Sequence, residues 1–130
     1  MESQNNGKKI LIIEDELPML KALSEKFSRE GFSVVEAKNG QEGLELALSS
    51  HPDLIILDLF MPVMDGKEMM VKLRADEWGK KVPIMILTNL NPDDKVLNEI
   101  LKSGPAYYFI KSKWQLEELV GKVKKELKLS

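Results

Sequence analysis

The sequence predicts a doubly wound α/β domain, in which five parallel strands form one sheet with helices on both of its faces. Short apolar runs of strand length alternate strictly with segments whose apolar residues recur at helical spacing, and this alternation is typical of parallel sheets. The chain has 130 residues, of which 43% are hydrophobic. That size suits a single domain with one ordinary core.

The predicted strands are the short apolar runs. The third strand has no polar side chain from Leu54 to Leu57, which is typical of a strand buried on both faces of its sheet. Pro83 lies near the start of the fourth strand, where a missing backbone donor is tolerated. The five predicted strands are Lys9–Ile13, Phe32–Ala37, Asp53–Leu57, Val82–Leu87 and Tyr107–Ile110.

One predicted helix follows each strand. Leucine and phenylalanine residues recur at helical spacing around the first helix, and this spacing gives the helix an apolar face; they are Leu17, Leu20, Leu23 and Phe27. Gly31 ends the first helix and Gly104 ends the fourth, because glycine commonly follows the last helical turn. The five predicted helices are Pro18–Arg29, Gln41–Ser49, Lys67–Ala75, a fourth that begins at Asn91 or Pro92, and Trp114–Leu127.

Composition excludes several classes of function. The chain has no cysteine, so neither a disulfide framework nor a thiolate metal site is possible. No apolar run has the length of a membrane span, and the N-terminus lacks the apolar core of a signal peptide. We therefore expect a cytoplasmic protein without membrane association. The formal net charge of −2 gives no electrostatic reason to expect direct binding to nucleic acid.

Polar side chains follow four of the predicted strands. In a doubly wound fold, ligands bind beyond the carboxyl ends of the strands. Neighbouring strands would therefore bring carboxylates, a hydroxyl and an ammonium group to one edge of the sheet. The residues after strands one, three, four and five are Glu14, Asp15, Glu16, Asp58, Thr88 and Lys111.

The acidic members of this set predict a cation. Two carboxylates about 4 Å apart repel by about 4 kcal/mol at an effective dielectric constant of 20. A cluster of Glu14, Asp15 and Asp58 would therefore take up a proton or a cation. Oxygen-only ligands favour a hard ion, and Mg²⁺ suits a site that keeps several waters. If Thr88 and Lys111 contact further oxygens, Asp58 is placed to attack phosphorus and form an acyl phosphate.

These residues and their surroundings resemble the receiver domains of two-component response regulators, such as the chemotaxis regulators. The matching segments are IIEDE, HPDLIILDLFMPVMDG, PIMILT and YYFIK. The resemblance covers nearly the whole chain and implies a flavodoxin-like (βα)5 fold with strand order 2-1-3-4-5. On this basis residues 9–128 are expected to form the receiver domain, and residues 1–8 a flexible N-terminal segment.

The resemblance implies a role for each acidic residue. Asp58 would be the phosphoacceptor, and Glu14 and Asp15 would be the acidic pair that organises Mg²⁺. The backbone carbonyl of Phe60 would be a further ligand of the metal. Such a domain is not classed as an enzyme, although it assists its own phosphorylation and dephosphorylation.

The resemblance also implies a switch and its partners. Thr88 would close on the phosphoryl group, Lys111 would pair with it, and the ring of Tyr108 would turn inward as Thr88 moves. This change would alter the surface formed by the fourth helix, the fifth strand and the fifth helix, where a downstream protein binds. The phosphodonors would be a sensor histidine kinase, a histidine phosphotransfer protein or a small molecule such as acetyl phosphate.

Two departures from the family lie in and after the fifth strand. The family usually has proline after its lysine, whereas Ser112 follows Lys111 here. Because a cis bond before a residue other than proline costs about 2.5–4 kcal/mol, we predict a trans bond. Ala106 and Tyr107 stand where DNA-binding members commonly carry acidic residues. We therefore expect a monomer or a weak dimer. Tyr107 would either widen an apolar surface beside Tyr108 or face the core.

A third departure concerns access to the phosphoacceptor. Asn89 follows the threonine where the family favours a very small residue, and Phe60 and Leu90 add bulk at two flanking positions. Our hypothesis is that these three side chains restrict the attacking water and slow the entry of small donors. The phosphorylated state would then be long-lived.

Three other functions are less consistent with these residues. A flavin-binding electron carrier would need a phosphate-binding loop after the first strand, where acidic residues would repel the phosphate. Aspartyl phosphatases usually carry a second aspartate two residues after the nucleophile, and Phe60 occupies that place. A degenerate receiver that acts as a phosphorylation-independent interaction module is favoured only by Ser112 and Asn89. The chain could act alone or belong to a larger regulator.

Two further features have ordinary explanations. His51, the only histidine, precedes Pro52 and is expected to be a turn residue. Lys122, Lys124 and Lys125 lie among acidic residues of the last helix, so we expect a solvated charged face.

Overall fold

The computed structural model describes residues 6–58, 64, 66–88, 95–102, 106–110 and 115–129. Its strands are β1 (Lys9–Ile13), β2 (Ser33–Ala37), β3 (Leu54–Asp58), β4 (Ile84–Thr88) and β5 (Ala106–Ile110). Its helices are α1 (Leu17–Arg29), α2 (Gly40–Ser50), α3 (Gly66–Arg74), α4 (Lys95–Leu101) and α5 (Leu116–Glu126). Within these described ranges no helix is both long and apolar enough to cross a membrane.

The strands form one parallel sheet in the order β2-β1-β3-β4-β5. This is the flavodoxin-like order that the family resemblance predicts. In the sheet Ile13 of β1 lies beside Ala37 of β2 on one side and Leu57 of β3 on the other. The central strand β3 is buried along its whole length, including Asp58.

Two apolar cores cover the two faces of the sheet, because successive strand side chains point to opposite faces. The prediction of helices on both faces is confirmed. The core under α2 and α3 includes Leu11, Ile13, Ile55, Leu57, Met69, Met70 and Leu73. The core under α1 and α5 includes Ile10, Ile12, Leu20, Leu23, Phe27, Leu54, Ile56, Leu119 and Val123.

Element ends differ slightly from the predicted ones. Asp58 is the last residue of β3 rather than the residue after it. α2 begins at Gly40 rather than Gln41, because the side-chain oxygen of Asn39 accepts a hydrogen bond from the backbone N–H of Glu42 at 2.8 Å and caps the helix. Other described ends coincide with the predicted ones, as both ends of β1 do, or differ by one or two residues. Outside the described residues lie the predicted ends at 91–94, 103–105 and 111–114.

Charged side chains tie α5 to the end of α1. Lys124 donates to a carboxylate oxygen of Glu30 at 2.5 Å. Lys26 lies 3.4 Å from the other Glu30 oxygen and also bonds to Glu117 on α5. The lysine face of α5 is therefore not only solvated, since Lys124 is partly buried and pairs with Glu30 across the two helices. The hydrogen bond from Lys124 lowers the pKa of Glu30, with a smaller contribution from Lys26, against the opposing effect of burial.

We predict that Glu30→Gln destabilises the fold at neutral pH more than in acid. A carboxylate whose pKa is lowered by folding stabilises the native state above its unfolded pKa, and this contribution disappears as the pH falls through the folded value. The loss at pH 7 should be no more than about 1 kcal/mol, as for other solvated ion pairs. Urea unfolding at pH 7 and at about pH 3 measures it.

Glu25→Gln, on the exposed face of the same helix, is the matched control and should change the free energy of unfolding little at either pH. An equal loss for Glu30→Gln at both pH values would contradict the assigned role of the carboxylate charge.

Candidate functional site

Three acidic side chains cluster at the carboxyl edge of the sheet. One carboxylate oxygen from each of Glu14, Asp15 and Asp58 lies within 4.8 Å of the other two. Glu14 is only 1% exposed and Asp58 only 5% exposed, whereas Asp15 is half-buried. The structure therefore brings together the three carboxylates that the sequence analysis selected.

The sheet register accounts for this cluster. Ile13 of β1 lies beside Leu57 of β3. The next residues, Glu14 and Asp58, therefore lie side by side at the carboxyl ends of these two adjacent strands. The backbone N–H of Glu14 donates to the carbonyl of Ala37 at 3.0 Å, which extends the pairing with β2 by one residue. A carboxylate oxygen of Glu14 also accepts from the backbone N–H of Glu16 at 3.2 Å. Both contacts hold Glu14 at the edge.

The oxygen donors suit a hard divalent cation. Two carboxylates about 5 Å apart repel by about 3 kcal/mol at an effective dielectric constant of 20, and a bound cation offsets this repulsion. Mg²⁺ is held by a few carboxylates at about 2.0–2.1 Å and keeps several of its waters. A spacing of up to 4.8 Å lets such an ion contact some of the oxygens directly and others through water. The residues therefore fit Mg²⁺.

Two of the predicted switch residues lie on the neighbouring strands. Thr88 is the last residue of β4, directly after Leu87, which lies beside Asp58. Its backbone is therefore at the same edge, while its side chain lies outside what the structure describes. Tyr108 of β5 is half-buried and packs against the core under α2 and α3, to which Leu101 of α4 also belongs.

Several predicted site residues cannot be placed at this edge. The proposed metal ligand, the access residues and the lysine with its following serine all lie outside the described residues: Phe60, Asn89, Leu90, Lys111 and Ser112. Their roles, and the trans bond between Lys111 and Ser112, stay predictions.

Tyr107 does not share a surface with Tyr108. Adjacent strand residues point to opposite faces, and Tyr107 packs against the core under α1 and α5. The Lys122 ammonium lies 5.2 Å from the centre of its ring. A hydrogen bond to Glu126, together with burial, raises the pKa of the Tyr107 phenol. Of the two alternatives for Tyr107, the structure therefore supports packing against the core rather than an apolar surface shared with Tyr108.

Sequence reasoning missed one contact beside the acidic cluster. The backbone N–H of Gly40, at the start of α2, donates to the carbonyl of Met64 at 3.0 Å. The only sequence signal was the Asn39-Gly40 pair before an apolar-periodic segment, which indicates a helix start but not the neighbour of that helix.

Comparison with known proteins identifies a family. A family model described as the response regulator receiver domain matches residues 10–124. The chain is 34% identical over 125 residues to the transcriptional regulatory protein PrrA of Mycobacterium tuberculosis, which covers 95% of this chain and 52% of that protein. It is 30% identical over 123 residues to sporulation initiation phosphotransferase F of Bacillus subtilis, covering 95% and 96%. The chain spans about half the length, or less, of several other curated relatives.

Solved structures give the same result. A two-component response regulator from Clostridium difficile superposes with a TM-score of 0.82 at 33% identity, covering 93% of this chain and 96% of that chain. The receiver domain of a sensor histidine kinase from Pseudomonas aeruginosa superposes with a TM-score of 0.75 at 27% identity, covering 92% and 96%. That neighbour holds a magnesium ion coordinated in its active site cleft.

We predict that Asp58→Asn stabilises the metal-free protein. The substitution removes one charge from the cluster, so the free energy of unfolding should rise by about 1–3 kcal/mol when divalent cations are absent. Added MgCl2 should stabilise the wild type, because a ligand that binds only the native state raises its stability, and should stabilise the variant less. Urea unfolding with and without MgCl2 measures both effects.

Glu77→Gln is the matched control, since Glu77 is an exposed carboxylate beyond α3 at the opposite edge of the sheet. It should change neither quantity appreciably. If Asp58→Asn lowered the stability of the metal-free protein, repulsion within the cluster would not be the dominant effect.

Proposed function

Because the chain belongs to the response regulator receiver domain family, we propose that it is the phosphoacceptor switch of a two-component phosphorelay, in which Asp58 receives the phosphoryl group. Receiver domains are phosphoacceptor signalling domains rather than classical enzymes, and they interact with histidine kinases or phosphotransfer proteins. The observation that carries the proposal is the position of Asp58, at the end of a fully buried strand and within the acidic cluster. We place the receiver domain at residues 9–128, around the match to residues 10–124.

The chemistry asked of Asp58 is nucleophilic attack on phosphorus. Its carboxylate oxygen forms a new bond to phosphorus, the bond between phosphorus and the donor nitrogen or oxygen breaks, and the leaving group departs with that electron pair. In-line displacement of this kind depends on positioning and on stabilisation of charge. β3 is buried on both faces, so it holds the nucleophile with little freedom to move.

We assign Mg²⁺ to Glu14, Asp15 and Asp58, with the Phe60 carbonyl as a further ligand. The clustering of three carboxylate oxygens supports this assignment, as does the magnesium ion in the Pseudomonas aeruginosa neighbour. When bound, the ion supplies positive charge against the oxygens of the phosphoryl group. Glu14 and Asp15 contribute by holding that charge beside Asp58, which would otherwise repel an anionic donor.

We propose that Thr88, Lys111 and Tyr108 convert phosphorylation into a change of surface. Thr88 would close on the phosphoryl group, Lys111 would pair with it, and the Tyr108 ring would follow. Support comes from the backbone of Thr88 at the edge beside Asp58 and from the packing of Tyr108 against the core that includes Leu101 of α4. The output surface would be the α4-β5-α5 face, where a downstream protein binds.

The proposed donor is a sensor histidine kinase or a histidine phosphotransfer protein. We also propose that this domain acts as a monomer or weak dimer and makes no direct contact with nucleic acid. The cytoplasmic location expected from the sequence stays a prediction.

The proposal predicts phosphorylation at one residue. Incubation with MgCl2 and acetyl phosphate should add the mass of one phosphoryl group to the wild type, and Asp58→Ala should abolish the gain. Asp53→Ala is the control, because it removes the carboxylate at the opposite end of the same strand and should keep the gain. Intact-mass spectrometry measures both.

Small donors are not the only possible source of phosphate. If acetyl phosphate adds no mass, the trial is repeated with phosphorylated histidine kinases and phosphotransfer proteins. Labelling by those donors alone would indicate restricted entry of small molecules. No labelling by either class would contradict the proposal and favour a phosphorylation-independent interaction module.

We predict further that the phosphorylated state is long-lived because Phe60, Asn89 and Leu90 restrict the attacking water. Asn89→Ala should accelerate loss of phosphate about tenfold, which corresponds to about 1.4 kcal/mol in the activation barrier. Decay of the purified phosphoprotein in MgCl2, followed by intact mass, measures the rate. Denatured samples of both proteins should decay equally. Rapid decay of the native wild type would contradict the hypothesis.

A further inference from the structure

The first residue of α2 lies against the chain beyond the phosphoacceptor. The backbone N–H of Gly40 donates to the Met64 carbonyl at 3.0 Å. A Cβ atom at position 40 would lie 2.0 Å from that carbonyl oxygen and 2.8 Å from its carbon. Real Cβ atoms essentially never approach other atoms below 3.0 Å. Because Gly40 has a helical backbone, space rather than backbone conformation requires glycine here.

Met64 is placed to influence Asp58. The Met64 side chain is 5% exposed and belongs to the same buried cluster as Ile13 and Leu57. These two residues directly precede Glu14 and Asp58.

The start of α2 is itself held near the acidic cluster. Ala37, at the end of β2, accepts the hydrogen bond from the Glu14 N–H. Two residues later Asn39 caps α2 through its side chain, and Gly40 follows with its bond to Met64. Glu14 is therefore linked to Met64 by the hydrogen bond to Ala37, by the short stretch of chain from Ala37 to Gly40, and by the hydrogen bond from Gly40.

We infer that Gly40 is a positioning residue for the phosphoacceptor site. Its missing side chain lets α2 hold the Met64 carbonyl. This contact keeps Met64 packed with Ile13 and Leu57, and through these two residues it keeps Glu14 and Asp58 in the arrangement that binds Mg²⁺ and accepts phosphate. The inference rests on the proposed function of Asp58. Groups that orient metal ligands from outside the coordination sphere typically change metal affinity by about 10–100-fold when they are substituted.

Gly40→Ala tests the inference, and Gly79→Ala is its matched control. A Cβ at position 79 would lie 2.1 Å from the Leu73 carbonyl oxygen, so the control adds the same atom against the same kind of group. Gly79 precedes β4 and therefore lies at the opposite edge of the sheet from the acidic cluster. The two edges are separated by the length of a five-residue strand, about 16 Å.

Both substitutions should lower the melting temperature. Only Gly40→Ala should weaken Mg²⁺ binding, by about tenfold or more, measured by calorimetric titration of the metal-free protein with MgCl2 below both melting temperatures. The same variant should take up phosphate from acetyl phosphate about tenfold more slowly than the wild type at subsaturating MgCl2, whereas Gly79→Ala should match the wild type.

Unchanged Mg²⁺ affinity in Gly40→Ala, or equal losses in both variants, would overturn the inference and leave a packing role only. If Gly40→Ala does not fold, Asn39→Ala replaces it, because this change loosens the same helix end without adding an atom near Met64. Asn39→Ala should weaken Mg²⁺ binding several-fold, and an unchanged affinity would overturn the inference. A wild type that never accepts phosphate would instead overturn the proposed function, while the Mg²⁺ titrations still decide the role of Gly40.

Discussion

The burial of negative charge at the carboxyl edge of the sheet is the constraint around which this molecule is arranged. Glu14 and Asp58 are almost fully buried, and Asp15 lies beside them. Buried charges are costly unless a partner offsets them. The register that puts Ile13 beside Leu57 fixes the backbones of the two following residues, Glu14 and Asp58, close together at the end of adjacent strands. The cluster therefore favours the binding of a cation, and the proposed phosphoryl transfer depends on that cation.

A rigid sheet is what allows that charge to persist. β3 is buried on both faces, and each face is covered by its own apolar cluster. Moving the backbone of Asp58 away from the cluster would require movement of a strand that packs against both cores at once. The ion pairs between Glu30 and the lysines of α1 and α5 lie on the outer surface, where water screens them. They hold α5 against the end of α1.

Sequence patterns predicted the parts of this structure that depend on local periodicity. The alternation of strands and helices and the carboxylates at strand ends follow from residue spacing, whereas the sheet order came with the family resemblance. Contacts between distant segments were missed: Lys124 pairs with Glu30 from 94 residues away, and His51 stacks on Trp78 with ring centres 4.3 Å apart. Neither pair has a local signal. The sequence also left two placements open for Tyr107, because in a strand one position decides which core a side chain enters.

In the proposed site, one set of residues sets the geometry, and a largely different set would carry out the phosphoryl transfer. Ile13, Leu57 and Met64 have no polar side-chain group suited to the reaction, and Gly40 has no side chain. Yet Ile13, Leu57 and Met64 pack in one buried cluster, and Gly40 bonds to the backbone of Met64. Because packed interiors respond to the addition of a single atom, changes at these positions reach the carboxylates through displacement rather than charge.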